Sequence, residues 1–232
     1  MNIRSLILLS ILVLPCCMHA QDKEKSLRFN FGAKVGFQAI AYNNPQFGIE
    51  GYEFNRNTLH SNRIGFTVAP FARLTMNRIY IQAESAFGLA RHSFDFTDTG
   101  KGEDIDATPS DIVYNLRTMC IQVPIVVGYN IIQEGKYVMS IFSGPKTKFV
   151  FTSRSEQQFK HFKYQHLEEV LKKKCYYWEF GLGVKIDHVF FDFVYDWGIT
   201  KASEHIISHT DGKKFRSDRR DNIFSFSVGL IF

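Results

Sequence analysis

The stretch LRFNFGAKVGFQA, residues 27–39, decides the fold. Its odd positions are Leu27, Phe29, Phe31, Ala33, Val35, Phe37 and Ala39. Its even positions are Arg28, Asn30, Gly32, Lys34, Gly36 and Gln38. Successive side chains of a β-strand point to opposite sides. One face of this segment is therefore wholly apolar and the other is polar or glycine, which fits a strand lying between an apolar and a polar environment.

The same alternation recurs outward along the chain. Apolar residues fall at every second position from Ile64 to Leu74, Ile79 to Leu89 (where Ser85 is the one exception), Met119 to Tyr129, Tyr176 to Ile186, Val189 to Trp197 and Phe224 to Phe232. A less regular example runs from Tyr137 to about Phe151. Eight strands of about ten residues result, the length that crosses a bilayer when tilted. The connections alternate in length. Those near Asn77, from Asn130 to Lys136, and at Asp187-His188 are short. Those from Asn43 to Asn62, Asp95 to Asn115, Thr152 to Lys174 and Lys201 to Asp221 are long. The pattern predicts an all-β fold over residues 27–232: an eight-stranded antiparallel up-and-down transmembrane β-barrel with short periplasmic turns and long extracellular loops. An even strand count puts both termini at the short-turn end.

The composition agrees. The 232 residues are 45% hydrophobic and only 22% charged, which excludes wholesale disorder. Phe is abundant, at 23. Aromatics gather near strand ends, with Phe29, Tyr129, Tyr137 and Phe232 at the short-turn end and Phe94, Phe151, Tyr176 and Trp197 at the other. Such girdles mark membrane interfaces.

Residues 1–20 read as a secretory signal peptide. Arg4 precedes an apolar run from Ser5 to Leu14, and cleavage is expected between Ala20 and Gln21. Residues 21–26 then form a short periplasmic segment. A lipid anchor on Cys16 or Cys17 would lack the small residue normally found before the modified cysteine. Beyond the signal, Cys120 and Cys175 are too few for a disulfide framework.

The segments FNFGAKVGF (29–37), YIQAESAFG (80–88), CIQVPIVVGYN (120–130), FSGPKTKFV (142–150), FGLGVKID (180–187) and FDFVYDWGIT (191–200) resemble the PorT-like outer-membrane β-barrel family of the Bacteroidota. The resemblance covers nearly the whole chain after the signal peptide. It implies a cell outer membrane location and the barrel architecture. It also implies a possible link to a type IX secretion and gliding complex, through the family's name-giving member. Its motifs are structural and imply no chemistry.

The polar strand face carries the candidate site. Arg28, Lys34, Arg63, Arg73, Glu84, Lys146, Lys148, Glu179, Lys185, Asp192 and Asp196 are all expected to point inward. They form either a solute path or a charge network that fills the lumen, and eight strands make a lumen narrow enough for side chains to fill. Neighbouring strands suggest Glu179 and Asp192 with Lys185, and Glu84 with Arg63 and Arg73. At the chain end, Phe224, Phe226, Val228, Leu230 and Phe232 look like the signal read by the outer-membrane assembly machinery.

Other motifs carry less. His161 and His166 are the nearest approach to a metal pair, and no His-Glu-x-x-His occurs. His92 and Ser93 are adjacent, so on a strand they face opposite ways, which breaks a base–nucleophile relay. Helical spacing of Leu167, Val170 and Leu171 predicts a short loop helix. Lys213, Lys214, Arg216, Arg219 and Arg220 suggest contact with lipopolysaccharide phosphates rather than nucleic acid. No Walker loop or dinucleotide fingerprint occurs, and no cofactor is expected. The expected partners are outer-membrane lipid, the assembly machinery and possible secretion-complex proteins. A non-enzymatic barrel, a secretion component and a soluble lipocalin-type barrel remain the readings to separate.

Overall fold

The computed structural model describes residues 27–43, 52–54, 64–98, 112–158, 167–208, 214–216 and 220–232. Among these, eight long strands close a ring. They are β1 Leu27–Asn43, β2 Ile64–Met76, β3 in two pieces (Ile79–Glu84 and Ala86–Asp98), β4 Ile112–Glu134, β5 Tyr137–Gln158, β6 Lys174–Ile186, β7 Val189–Gly198 and β8 Arg220–Ile231. Each strand pairs antiparallel with its sequence neighbours. β1 pairs with both β2 and β8, which leaves the ring without an open edge. Phe232 completes the seam: its N–H donates to the Phe31 carbonyl at 2.8 Å and its carbonyl accepts from the Phe31 N–H at 3.1 Å.

The turns at one end are two residues long, at 77–78, 135–136 and 187–188. Asn77, Gly135 and Asp187 open them with φ near +57° to +58°. Those are residue types that enter left-handed backbone at little steric cost.

Alternation decides which side chains leave the lumen. Leu27, Phe29, Phe31, Val35 and Phe37 of β1 are exposed, while Lys34, Gln38 and Ile40 are buried. The same holds round the ring, so the outer wall is a continuous apolar band far larger than a water-facing surface carries. Phe29, Tyr129, Tyr137 and Phe232 are exposed at the short-turn end, and Phe151, Tyr176 and Trp197 at the far end. The Phe94 side chain lies outside the described residues.

Inward aromatics pack over glycines. Phe71 stands opposite Gly32, Tyr80 opposite Gly128, Phe142 opposite Gly181, and Phe190 opposite Gly229. At each of these glycines an added Cβ would run into the facing ring. A ring laid over a strand glycine fills the space its missing side chain leaves. Two such rings, Phe71 and Phe190, meet edge to face at 5.1 Å near the short-turn end.

Two expectations are corrected. Leu167–Leu171 is a strand, not a helix, and pairs with Ser203–Ser208, which also pairs with Lys214–Arg216. Five residues are too short for helical spacing to hold against strand pairing. β4 and β5 also run on well past the apolar band, to Ile112 and Gln158, so residues assigned to two long loops continue the sheet. The residues at 1–26, with Ala20 and Gln21, lie outside the described residues, as do Arg63, His161 and His166.

Candidate functional site

Inward parity on eight narrow strands brings charged side chains together across the lumen. Lys34 on β1 reaches Glu84 on β3 at 2.7 Å and Asp192 on β7 at 3.0 Å. Those partners lie two strands away on either side, so the ammonium bridges the lumen rather than a neighbouring strand. Glu84 also accepts from the Gln82 amide, and Gln82 accepts from Arg73. The Arg73 guanidinium sits 4.3 Å from the centre of the Tyr80 ring, a cation–π contact. The contacts form one continuous chain: Arg73, Gln82, Glu84, Lys34, Asp192.

A second group stands on β5, β6 and β7. Lys146 lies 3.0 Å from Glu179 and 2.7 Å from Asp196. Gln38 and Gln122 exchange amide hydrogen bonds at 3.3 and 3.1 Å, linking β1 to β4. The space left among Lys34, Gln38, Glu84, Gln122, Lys146 and Glu179 is about 20 Å³, room for roughly one water. Nearer the loop end Lys148 is buried in a cavity of about 10 Å³ that it shares with Cys175, Tyr177 and Asp221. Cys120 and Cys175 are both buried, and neither is in a disulfide.

The sequence-derived set divides. Lys34, Arg73, Glu84, Lys146, Lys148, Glu179, Asp192 and Asp196 are buried in the lumen. Arg28 is exposed, one residue from the start of β1, and so lies at the rim rather than inside. Lys185 is half-buried, and its expected cluster with Glu179 and Asp192 is replaced by the two lysine-centred groups. Glu84 pairs with Lys34 and meets Arg73 of β2 only through the Gln82 amide. Adjacent-strand reasoning missed these partners because a long lysine in a narrow barrel reaches across two strands.

Four members of the site were not singled out. Gln38, Gln82 and Gln122 join the charged residues through their amides, and Asp221 adds a buried acid on β8. The parity of β8, extended two residues before Ile223, was the available signal for Asp221. His92 stands opposite Leu116 and Ser93 opposite Asn115. Their side chains lie outside the described residues.

No curated protein matches the chain. Among solved structures it is similar to the outer membrane protein OprG from Pseudomonas aeruginosa, at 10% identity and a TM-score of 0.47 over 88% of this chain and 95% of that one. It is also similar to Ail, the attachment invasion locus protein of Yersinia pestis, at 12% identity and a TM-score of 0.41 over 88% and 99%. LpxR from Salmonella typhimurium shares 8% identity, with a TM-score of 0.29 over 87% and 100%. The closed ring, the apolar outer wall and the charged lumen are the design of a barrel that lives in lipid. In agreement with that design, residues 19–204 match the family model described as outer membrane protein beta-barrel domain, and the chain belongs to that family.

Proposed function

We propose that this outer-membrane barrel is closed to solutes, has no enzymatic activity, and acts as a membrane-embedded platform for its extracellular segments. The observation that carries the reading is the pair of lysine-centred bridges. Lys34 ties β1 to strands two places away on both sides, and Lys146 ties β5 to β6 and β7. Aromatic rings fill the lumen toward the short-turn end, and Ile40, Tyr177 and Ile223 fill it toward the loop end. An eight-stranded barrel packed in this way holds side chains where a porin holds water.

Planar-bilayer recording from the purified full-length protein tests the proposal. Baseline current is expected, and steady single-channel steps of porin size would overturn it. The PorT-like resemblance adds a finer reading, membership of a secretion complex. The three-stranded sheet of Leu167–Leu171, Ser203–Ser208 and Lys214–Arg216 offers such a complex a surface outside the barrel. Affinity purification from envelope extracts separates the readings: stoichiometric secretion proteins favour the complex, and the barrel alone favours the independent platform.

A further inference from the structure

Among the described residues three prolines stand on strands: Pro70 on β2, Pro124 on β4 and Pro145 on β5. All three fall on one row across the wall. The Ser85 N–H, at the break in β3, donates to the Pro70 carbonyl at 3.1 Å. The register of β3 with β4 sets Glu84 across from Pro124, and Pro124 pairs with Lys146, the neighbour of Pro145. Ser85 lies midway along β3 between Ile79 and Arg91, so the row crosses the middle of the apolar band.

Three successive ladders are interrupted along this row. Between β2 and β3, pairing stops at Phe71 with Glu84 and resumes at Val68 with Phe87. Between β3 and β4 it stops at Ala83 with Ile125 and resumes at Ala86 with Gln122. Between β4 and β5 it stops at Val127 with Ser143 and resumes at Pro124 with Lys146. The other five ladders of the ring have no such gap. A proline has no N–H to place in a ladder. Inside a bilayer no water replaces the lost bond. Gly144 also lies so close to the Ile125 carbonyl that a Cβ would run into it, so the strands stay together there only around a glycine.

The gaps divide this wall into two panels. The inner one holds Ile79–Glu84, 125–134 and 137–145. The outer one holds Ala86–Asp98, 112–124 and 146–158, whose strands remain paired with one another through one irregularity at Met119. The outer panel overshoots its flanks. β2 pairs with it no further out than Gly65 with Ala90, and β6 no further than Lys174 with Phe149. On the β6 side the row is pinned. The Ser143 hydroxyl donates to the Glu179 carbonyl at 3.0 Å and accepts from the Trp178 indole N–H at 2.8 Å. Lys146 grips Glu179 and Asp196 behind it.

We propose that this row is a hinge on which the outer panel tilts as one body, while the inner panel and the wall from β6 to β1 stay fixed. Missing N–H groups lower the cost of bending along the row, and the pins at Ser143 and Lys146 end the crease at β5. A contact made outside the membrane would then reach the middle of the wall through the panel, whether or not the lumen is closed to solutes.

Hydrogen exchange of the full-length protein folded in detergent, resolved to single amides by NMR, tests the hinge. Local opening sets the rate of each amide. Glu84, Ser85 and Ile125, whose ladder partners lie across the row, should exchange about tenfold or more faster than Leu182 and Phe193 on unbroken ladders. Gly88 and Gln122, further out on the panel, should be slow again, because the panel moves without fraying. Pro145→Ala returns an N–H opposite Ile125 and should slow that amide several-fold, and Pro124→Ala should do the same for Glu84. Heat-modifiable gel migration reports whether each variant is folded, and the native profile decides alone if neither is. Uniformly slow exchange across the row would overturn the hinge. So would exchange that declines steadily from the loop end through the row, which is fraying, or folded variants that leave the row's rates unchanged.

Discussion

Glu179 on β6 and Asp196 on β7 are direct register partners, two buried carboxylates facing each other across one ladder spacing. Lys146 from β5 lies within 3.0 Å of the first and 2.7 Å of the second. Opposed like charges destabilise a strand pair. The lysine turns that repulsion into a three-member bridge.

Lys146→Ala should therefore be among the most damaging lumen substitutions. It leaves two opposed, buried carboxylates without their cation, a loss on the order of 3–5 kcal/mol. The midpoint of heat-modifiable unfolding in detergent should fall sharply. The triple change Lys146→Met/Glu179→Gln/Asp196→Asn removes the charges together and should recover most of that loss. A triple variant as unstable as Lys146→Ala would show that packing, not charge, governs the site.

Glu84 gives a graded test of the other bridge. It accepts from Lys34 and from Gln82 at once. Glu84→Gln keeps an acceptor but removes the charge opposite Lys34, and Glu84→Ala removes both. Stability should fall in that order. The alanine change should approach the 3–5 kcal/mol cost of a broken buried pair. Bilayer current should stay at baseline in both, because the Lys146 bridge and the aromatic rings remain. Pore-like conductance in Glu84→Ala would assign closure to this single contact.

The contrast between staves and contacts explains how far sequence could reach. Period-2 alternation is a local property, and in this chain it is set by lipid outside and packed polar groups inside. Leu27 to Ala39 therefore declared their faces without any knowledge of neighbours. Partner choice is not local. Whether Lys34 meets Glu84 depends on strand stagger and lumen width, and both emerge only on closure. Leu167–Leu171 shows the reverse failure. A helical spacing was present, but pairing with Ser203–Ser208 prevailed.

Gly128 tests the packing of rings over glycine. Its facing residue is Tyr80, whose buried ring occupies the space a side chain at 128 would take. Gly128→Val should cost roughly 1–3 kcal/mol through overpacking. Combining it with Tyr80→Ala should relieve the clash, giving a double variant more stable than the sum of the single losses implies. Strict additivity in detergent unfolding would argue against the contact.

Cys120 and Cys175 should remain thiols in air. They sit on β4 and β6 with β5 between them, and Lys148 on β5 is the register partner of Cys175. Two ladder spacings place the backbones about 9.6 Å apart, beyond the roughly 7 Å reach of a disulfide. Intact mass without reductant should therefore show both hydrogens. Both thiols are buried, so alkylation should be slow in the folded barrel and fast in denaturant. A mass lower by two hydrogen atoms would contradict the register.

Phe232 should control assembly more than stability. Its backbone closes the seam with Phe31, and its carbonyl also accepts from the Asn30 side chain at 2.9 Å. Its ring is exposed to the membrane side and lies 5.9 Å from the His188 ring and 6.1 Å from the Phe31 ring. Deleting Phe232 removes the two seam hydrogen bonds and the terminal aromatic together. Phe232→Ala removes only the ring. If the alternating Phe224, Phe226, Val228, Leu230 and Phe232 form the assembly signal, both changes should lower the outer-membrane level several-fold in vivo. Phe232→Tyr should keep it near native. Refolding of purified chains into detergent separates the two roles. There Phe232→Ala should fold almost normally, since an exposed ring contributes little to the lumen. The deletion should lose about 1–3 kcal/mol from its two seam bonds. Native surface abundance of Phe232→Ala would limit the residue to closing the seam.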